Sequence, residues 1–299
     1  MIDVKSLSKS YGDFKALDEL DIHINRGSVY GLLGPNGSGK TTLIKHLVGI
    51  YRNESGTITI DDKPVFDNPE IKSEIIYISD DLFYFSQYSI KEMADFYASM
   101  YPNWDWERFN TLRQVFPIDI KRRVVKLSKG MQKQVSFWLG ISAKPKVMIL
   151  DEPVDGLDPV MRKKVWNLVL QDVAEYGTTV LVSSHNLREL EDVCDHVGIL
   201  FKGKMMVERE LDNMKSDIHK LQLAYKGDAP KDLFKEGELL HQSQNGSVLQ
   251  FIVRGSKESI ISRVSATDPI IMDILPLSLE EIFIYELGGK GYEIENILI

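Results

Sequence analysis

The chain has 299 residues, 43% of them hydrophobic, and a formal net charge of −8. Its length and apolar content suit one large domain plus a smaller one, and its acidic balance disfavours a generic nucleic-acid binder, which offers basic surface to phosphate. Cys194 is the only cysteine; an intrachain disulfide is excluded and a reducing compartment is expected.

The opening stretch, MIDVKSLSKSYGDF, carries no apolar secretory core. No window approaches the roughly 18 uninterrupted apolar residues of a membrane span, so a role at a membrane calls for a partner. Residues 18–24, DELDIHI, and 28–33, SVYGLL, read as strands around a turn at Asn25-Arg26-Gly27. A Gly-rich loop follows, then a helix from about Lys40 to Ile50. ITIDDKPV has hairpin character, and EIIYIS at 74–79 reads as a buried strand. Residues 89–116 predict two helices broken near Pro102. VMIL at 147–150 and TTVLVSS at 178–184 are apolar runs of the central-parallel kind. Between them Met161, Val165, Leu168, Val169 and Val173 follow helical spacing. Strands alternating with helices predict an α/β fold with a mostly parallel sheet.

Past about residue 210 the texture changes. HKLQLAY, GELLHQSQNGSVLQFIV and PIIMDIL read as strands, with Asn245-Gly246 as a hairpin turn. Helices are expected over 257–267 and 278–288, and Cys194 is placed on a helix as a packing residue. The expected domains are therefore 1–210, with a helical insert over about 85–145, and a small α+β accessory domain over 211–299. The latter has 9 Lys/Arg against 14 Asp/Glu, which argues against a nucleic-acid-binding tail.

Gly34-Pro35-Asn36-Gly37-Ser38-Gly39-Lys40-Thr41 fits G-x-x-x-x-G-K-[ST] between a strand and a helix, with Thr42 next in line. The glycines let successive backbone N–H groups face phosphate. Lys40 would reach the β- and γ-phosphates and the Thr41 hydroxyl would ligate Mg²⁺. VMILDEP ends a buried strand in two acids: Asp151 suits the magnesium shell, and Glu152 a general base toward water. His185, at the end of the next strand, is placed to hydrogen-bond a γ-phosphate. A second helix start, LSKGMQKQVS at 127–136, offers another anion-binding terminus.

Tyr11, GPNGSGKTT, LSKGM, VMILDEP, VDGLDP and SSH stand in the order and spacing of ATP-binding cassette (ABC) transporter ATPases, and the resemblance spans roughly residues 2–210. It implies a P-loop ABC ATPase with a mostly parallel core sheet, an antiparallel β subdomain and a helical subdomain, using ATP and Mg²⁺. It implies head-to-tail pairing with a second ABC ATPase subunit, like or unlike. Ser128, Lys129, Gly130 and Met131 of the signature and Asp158 of the D-loop would then serve the partner's nucleotide, and Tyr11 would stack on adenine. The signature is usually LSGGQ; here Lys129 and Met131 replace a glycine and the glutamine. A glutamine usually follows the EIIYIS-type strand; here Asp80 stands there, able to accept hydrogen bonds or metal-bound water but not to donate. Trp104 and Trp106, in YPNWDWERF, read equally as contacts to a membrane subunit or as core of the insert.

YISD, YPNWDW and LSLEEIFIYELGG resemble ATPases of bacterial ABC-2-type exporters. The expectation is an ATP-hydrolysing subunit, peripheral on the cytoplasmic face of the cell membrane, that drives a separate transmembrane permease and binds no nucleic acid. Two rivals stand beside it. A soluble ABC protein acting on ribosomes or DNA is disfavoured by the single cassette and the lack of sustained heptads. A binding-only cassette is disfavoured by Glu152 and His185.

Overall fold

The computed structural model describes residues 1–211, 218–227, 230, 233–235, 237–278, 280–282 and 285. It divides into two compact units, one of residues 1–185 and 193–208, the other of 186–192 and 209–299.

In the first unit, β1 (Ile2–Tyr11) and β2 (Phe14–Ile24) form an antiparallel hairpin. β3 (Val29–Leu33) leads through the phosphate loop into α1 (Lys40–Leu47); Gly49, at φ +66°, turns the chain out just beyond this helix. After β4 (Ser55–Ile60), β5 (Lys63–Pro64) and α2 (Pro69–Lys72), β6 (Ile75–Ile78) opens the helical insert. There α3 (Ile90–Met100) starts on a Ser89–Glu92 capping box, and α4 (Trp106–Thr111) is capped by Asp105. The break between them follows from Pro102: Tyr101, the residue before it, is extended, as the proline ring demands. α5 (Lys129–Ser142), β7 (Val147–Asp151), α6 (Pro159–Tyr176) and β8 (Thr179–Ser184) complete the alternation. Past α7 (Leu187–Glu191), which belongs to the second unit, come β9 (His196–Phe201) and β10 (Lys204–Glu210).

Two sheets result. One is antiparallel, β2-β1-β4-β5; the other runs β10-β9-β3-β8-β7-β6, parallel from β9 to β6. Every residue of β3, β7 and β8 is buried, as expected of strands covered on both faces. Register sets the site: Leu33 pairs with Ser184, and Asp151 with Ser183. The chain segments that leave these three strands therefore emerge together at one edge of the sheet, where open α/β sheets gather ligands.

The insert has its own aromatic centre. Trp138 stacks on Phe109 at 4.8 Å and on Phe116 at 6.0 Å, and its indole N–H donates to Phe109 O at 2.8 Å. Burial of each such ring contributes about 1.5–3 kcal/mol. Trp104 packs on Phe109, while Trp106 is 38% exposed under the Lys91 ammonium.

In the second unit, β11 (Ile218–Ala224), β12 (Leu239–Asn245), β13 (Val248–Arg254) and β14 (Ile271–Leu275) form an antiparallel sheet in the order β12-β13-β11-β14. The expected hairpin is present: Asn245 pairs with Val248 around Gly246, at φ +62°. α8 (Lys257–Ser265) turns Ile260 and Val264 onto a core with Leu221, Leu223, Phe251 and Val253.

Two expectations change. β1, β9 and β10 are strands that the residue pattern did not single out. Cys194 is not helical: α7 ends at Glu191, and the backbone is extending toward His196, which pairs with Tyr30. The helix expected over 278–288 lies largely outside the described residues.

Candidate active site

Pro35, Asn36, Gly37, Gly39, Lys40, Thr41 and Thr42 line a cleft of about 290 Å³ together with Tyr11, Phe14, Ala16, Asp80, Asp151 and Glu152. The loop folds as it does because Gly39 takes φ +114°, where a side chain is strained, and a Cβ there would meet Ala16 O at 2.6 Å. Ser38, within the loop, is buried with its hydroxyl unpartnered. Lys40 is 6% exposed; its ammonium donates to Gly34 O at 2.5 Å and lies 3.8 Å from Glu152 Oε1. Burial pulls its pKa down, and the Glu152 and Asp151 carboxylates oppose that.

Asp151 and Glu152 diverge, as neighbours at a strand end must. Asp151 is buried; it accepts from Ser183 Oγ at 2.5 Å and from Thr41 Oγ1 at 3.3 Å. Glu152 leaves the strand at φ +46°, a left-handed conformation that costs a non-glycine residue about 1–2 kcal/mol. Its N–H donates to Ser183 O at 3.3 Å and Oγ at 3.2 Å, and its carbonyl accepts from Lys133 Nζ at 3.0 Å. The carboxylate reaches His185 Nδ1 at 3.0 Å. Burial raises the Glu152 pKa above the usual carboxylate value, and His185 and Lys40 draw it back.

The signature lies elsewhere. Ser128 caps α5, accepting from Met131 N at 3.3 Å, and is exposed, as is Lys129. A second cleft, of about 340 Å³, is lined by Asp80, Asp81, Lys129, Lys133, Asp155 and Gly156 among others. Gly130 packs against the D-loop: a Cβ there would meet Gly156 O at 2.7 Å. Asp158 caps α6 through Val160 N and Met161 N, both at 3.0 Å, with Pro159 in the first turn. The structure thus gathers Tyr11, the phosphate loop, Asp80, Asp151, Glu152 and His185, and keeps Ser128, Met131 and Asp158 away from that cleft. Phe14, Ser183 and Lys133 were missed. Ser183 belongs to the quoted SSH run and was legible there; Lys133 reads in sequence as an ordinary surface lysine.

The donor set fits a triphosphate with a hard divalent cation. It offers a buried ammonium, a Gly-built loop before a helix N-terminus, and a hydroxyl beside a carboxylate.

Comparison with known proteins agrees. The family profile for ABC transporters matches residues 17–155. The chain is 33% identical over 290 residues to the ABC transporter ATP-binding protein YtrB of Bacillus subtilis (strain 168), covering 97% of this chain and 99% of that one. It is 34% identical to the bacitracin transport ATP-binding protein BcrA of Bacillus licheniformis, over 72% of this chain and 71% of that one. Among solved structures, an ATP-binding subunit of an ABC transporter superposes with a TM-score of 0.68 at 28% identity, covering 72% of this chain and 92% of that one. A dimeric cassette in a post-hydrolysis state with ADP and Pi shares the fold at a TM-score of 0.64 and 20% identity, over 71% of this chain and 99% of that one. The chain belongs to the ABC transporter ATP-binding proteins and is the ATP-binding subunit of such a transporter. Among the described residues no helix is long and apolar enough to cross a membrane.

Proposed function

We propose that this ATPase pairs head to tail with a second ABC subunit, like or unlike, and drives a separate permease, as an exporter, from the cytoplasmic face of the membrane. In this reading residues 1–210 form the ATPase domain and 211–299 an accessory domain. The observation that carries the catalytic part is the placing of Glu152 between Lys40 and His185, in a cleft that raises its pKa.

Glu152 takes a proton from water as the water oxygen bonds to the γ-phosphorus and the bond to the β–γ bridging oxygen breaks, giving ADP and phosphate. Lys40 steadies the phosphate charge and His185 orients the γ-phosphate end. Mg²⁺, when bound, would offset charge on the phosphate oxygens, and Thr41, Asp151 and Asp80 would hold it. Tyr11, 47% exposed, offers its ring face to adenine.

Ser128, Lys129, Gly130, Met131 and Asp158 serve the partner's nucleotide. None of the five lines this chain's own phosphate-loop cleft, and Ser128 and Lys129 at the start of α5 are exposed; a helix N-terminus so placed suits an anion brought by a partner. The permease reading is supported by the start of the insert, where Phe83 is 81% exposed and meets Phe85, which in turn meets the exposed rings of Tyr88 and Phe96. Large exposed aromatics of this kind mark contact surfaces. A relative named for bacitracin transport supports a transport role; export rests on the resemblance of YISD, YPNWDW and LSLEEIFIYELGG to ATPases of ABC-2-type exporters.

Glu152→Gln tests the reading: turnover falls by about 10²-fold while ATP binding persists and an ATP-bound dimer accumulates in size-exclusion chromatography. Ser128→Arg binds ATP as a monomer but forms no such dimer. Unchanged turnover in the first variant, or normal dimerisation in the second, refutes the corresponding role.

A further inference from the structure

We propose that Lys133 is a positioning residue for hydrolysis: its ammonium holds the Glu152 peptide in the conformation that aims the carboxylate into the cleft, and ties that peptide to Asp80. This rests on the reading of Glu152 as the general base.

Lys133 lies on α5, one turn beyond Ser128, yet its side chain is only 5% exposed. An ammonium withdrawn from water needs strong partners. The Lys133 ammonium donates to Glu152 O at 3.0 Å and stands 3.8 Å from Asp80 Oδ1. Burial pulls its pKa down, while Asp80, Asp155, Asp151 and Glu152 hold it up.

The peptide it grips is the strained one. Glu152 adopts φ +46°, and such a conformation persists only where its surroundings over-determine it. Both of its polar groups are held: the N–H by Ser183 and the carbonyl by Lys133. With the residue fixed at both ends, the side chain is delivered to His185 at 3.0 Å and to Lys40 at 3.8 Å. Two lysines thus flank one glutamate, Lys40 at its carboxylate and Lys133 at its backbone. Without Lys133 the carbonyl loses its donor, the residue relaxes toward ordinary dihedrals, and the carboxylate moves. A shift of about 1 Å in a reacting group can cost on the order of 10²-fold in rate. Asp80, 62% exposed, opens the insert after β6, so the same ammonium links the start of the insert to the catalytic peptide.

The test uses full-length Lys133→Met, which keeps the stem and removes the donors, and Lys133→Arg, which keeps the charge. With ATP as the probe, Lys133→Met is expected to lose about 30-fold in kcat, equivalent to about 2 kcal/mol, while its Kd for ATP stays within about threefold. Lys133→Arg recovers most of the rate, a split that a merely structural lysine would not give. In a Glu152→Gln background, Lys133→Met removes nothing further, because it acts through the missing base. Lys133→Gln replaces the Met variant if that one does not fold. A kcat within threefold of wild type, a parallel loss of ATP affinity, or an additive loss in the Glu152→Gln background overturns the proposal. Full turnover in Glu152→Gln alone sinks the underlying base assignment too; an inactive Glu152→Gln beside an active Lys133→Met sinks the Lys133 role alone.

Discussion

Ser183→Ala removes one oxygen that does two things. Ser183 is fully buried; its hydroxyl donates to Asp151 Oδ1 at 2.5 Å and accepts from Glu152 N at 3.2 Å. A hydrogen bond to a charged group contributes about 1.5–3 kcal/mol. The second interaction is partly backed up, because Glu152 N also reaches Ser183 O at 3.3 Å. The expected loss of stability is therefore about 2 kcal/mol, set by the Asp151 bond. All four tryptophans, Trp104, Trp106, Trp138 and Trp166, lie in the first unit. Urea unfolding followed by tryptophan fluorescence thus reports on the ATPase unit directly. If the whole effect is felt in the transition state, turnover falls by about 30-fold. The magnesium concentration for half-maximal activity rises as well, because Asp151 is less firmly aimed toward Thr41. A stability change below about 0.5 kcal/mol, with an unaltered magnesium dependence, refutes the account of how Asp151 is oriented.

Gly130→Ala should strengthen α5 by up to about 1 kcal/mol of helix propensity yet push Gly156 O, 2.7 Å from the new Cβ, and so shift the D-loop. Turnover and ATP-driven dimerisation decline without a fall in thermal midpoint; wild-type activity would contradict this. Asp172 is buried beside Arg108, and burial raises its pKa from 3.8 to about 6 against the pull of that guanidinium. The native state therefore binds more protons than the unfolded one between those values. The group's contribution is fully present below pH 3.8 and is lost as pH rises through about 6. From pH 7 to pH 5, wild type gains about 1 kcal/mol relative to Asp172→Asn; urea unfolding at both pH values that shows no relative gain refutes the shift.

Much of the site was legible because its chemistry is local. A Gly-x-Gly-Lys-Thr loop between an apolar run and a helix, or two acids ending VMIL, states its role within a few residues. The same holds for the Asp158-Pro159 cap and the Asn245-Gly246 turn. The insert aromatics were ambiguous because YPNWDW does not reveal which ring faces inward; packing placed Trp104 against Phe109 and left Trp106 partly exposed. Cys194 read as helical because apolar and acidic residues continue past α7, yet the need to reach β9 in register ends the helix earlier.

By itself, then, the sequence determined the alternating α/β order, the phosphate loop, the paired acids and the spacing of the ABC motifs, since each depends on residues near in the chain. Only the tertiary structure decided that Ser183 grips Asp151, that Gly130 rests on Gly156, and that Lys133 turns inward to the carbonyl of a left-handed Glu152. Those contacts join residues 19 to 32 positions apart along the chain. Local periodicity carries no information at such separations; strand register and helix packing bring the partners together.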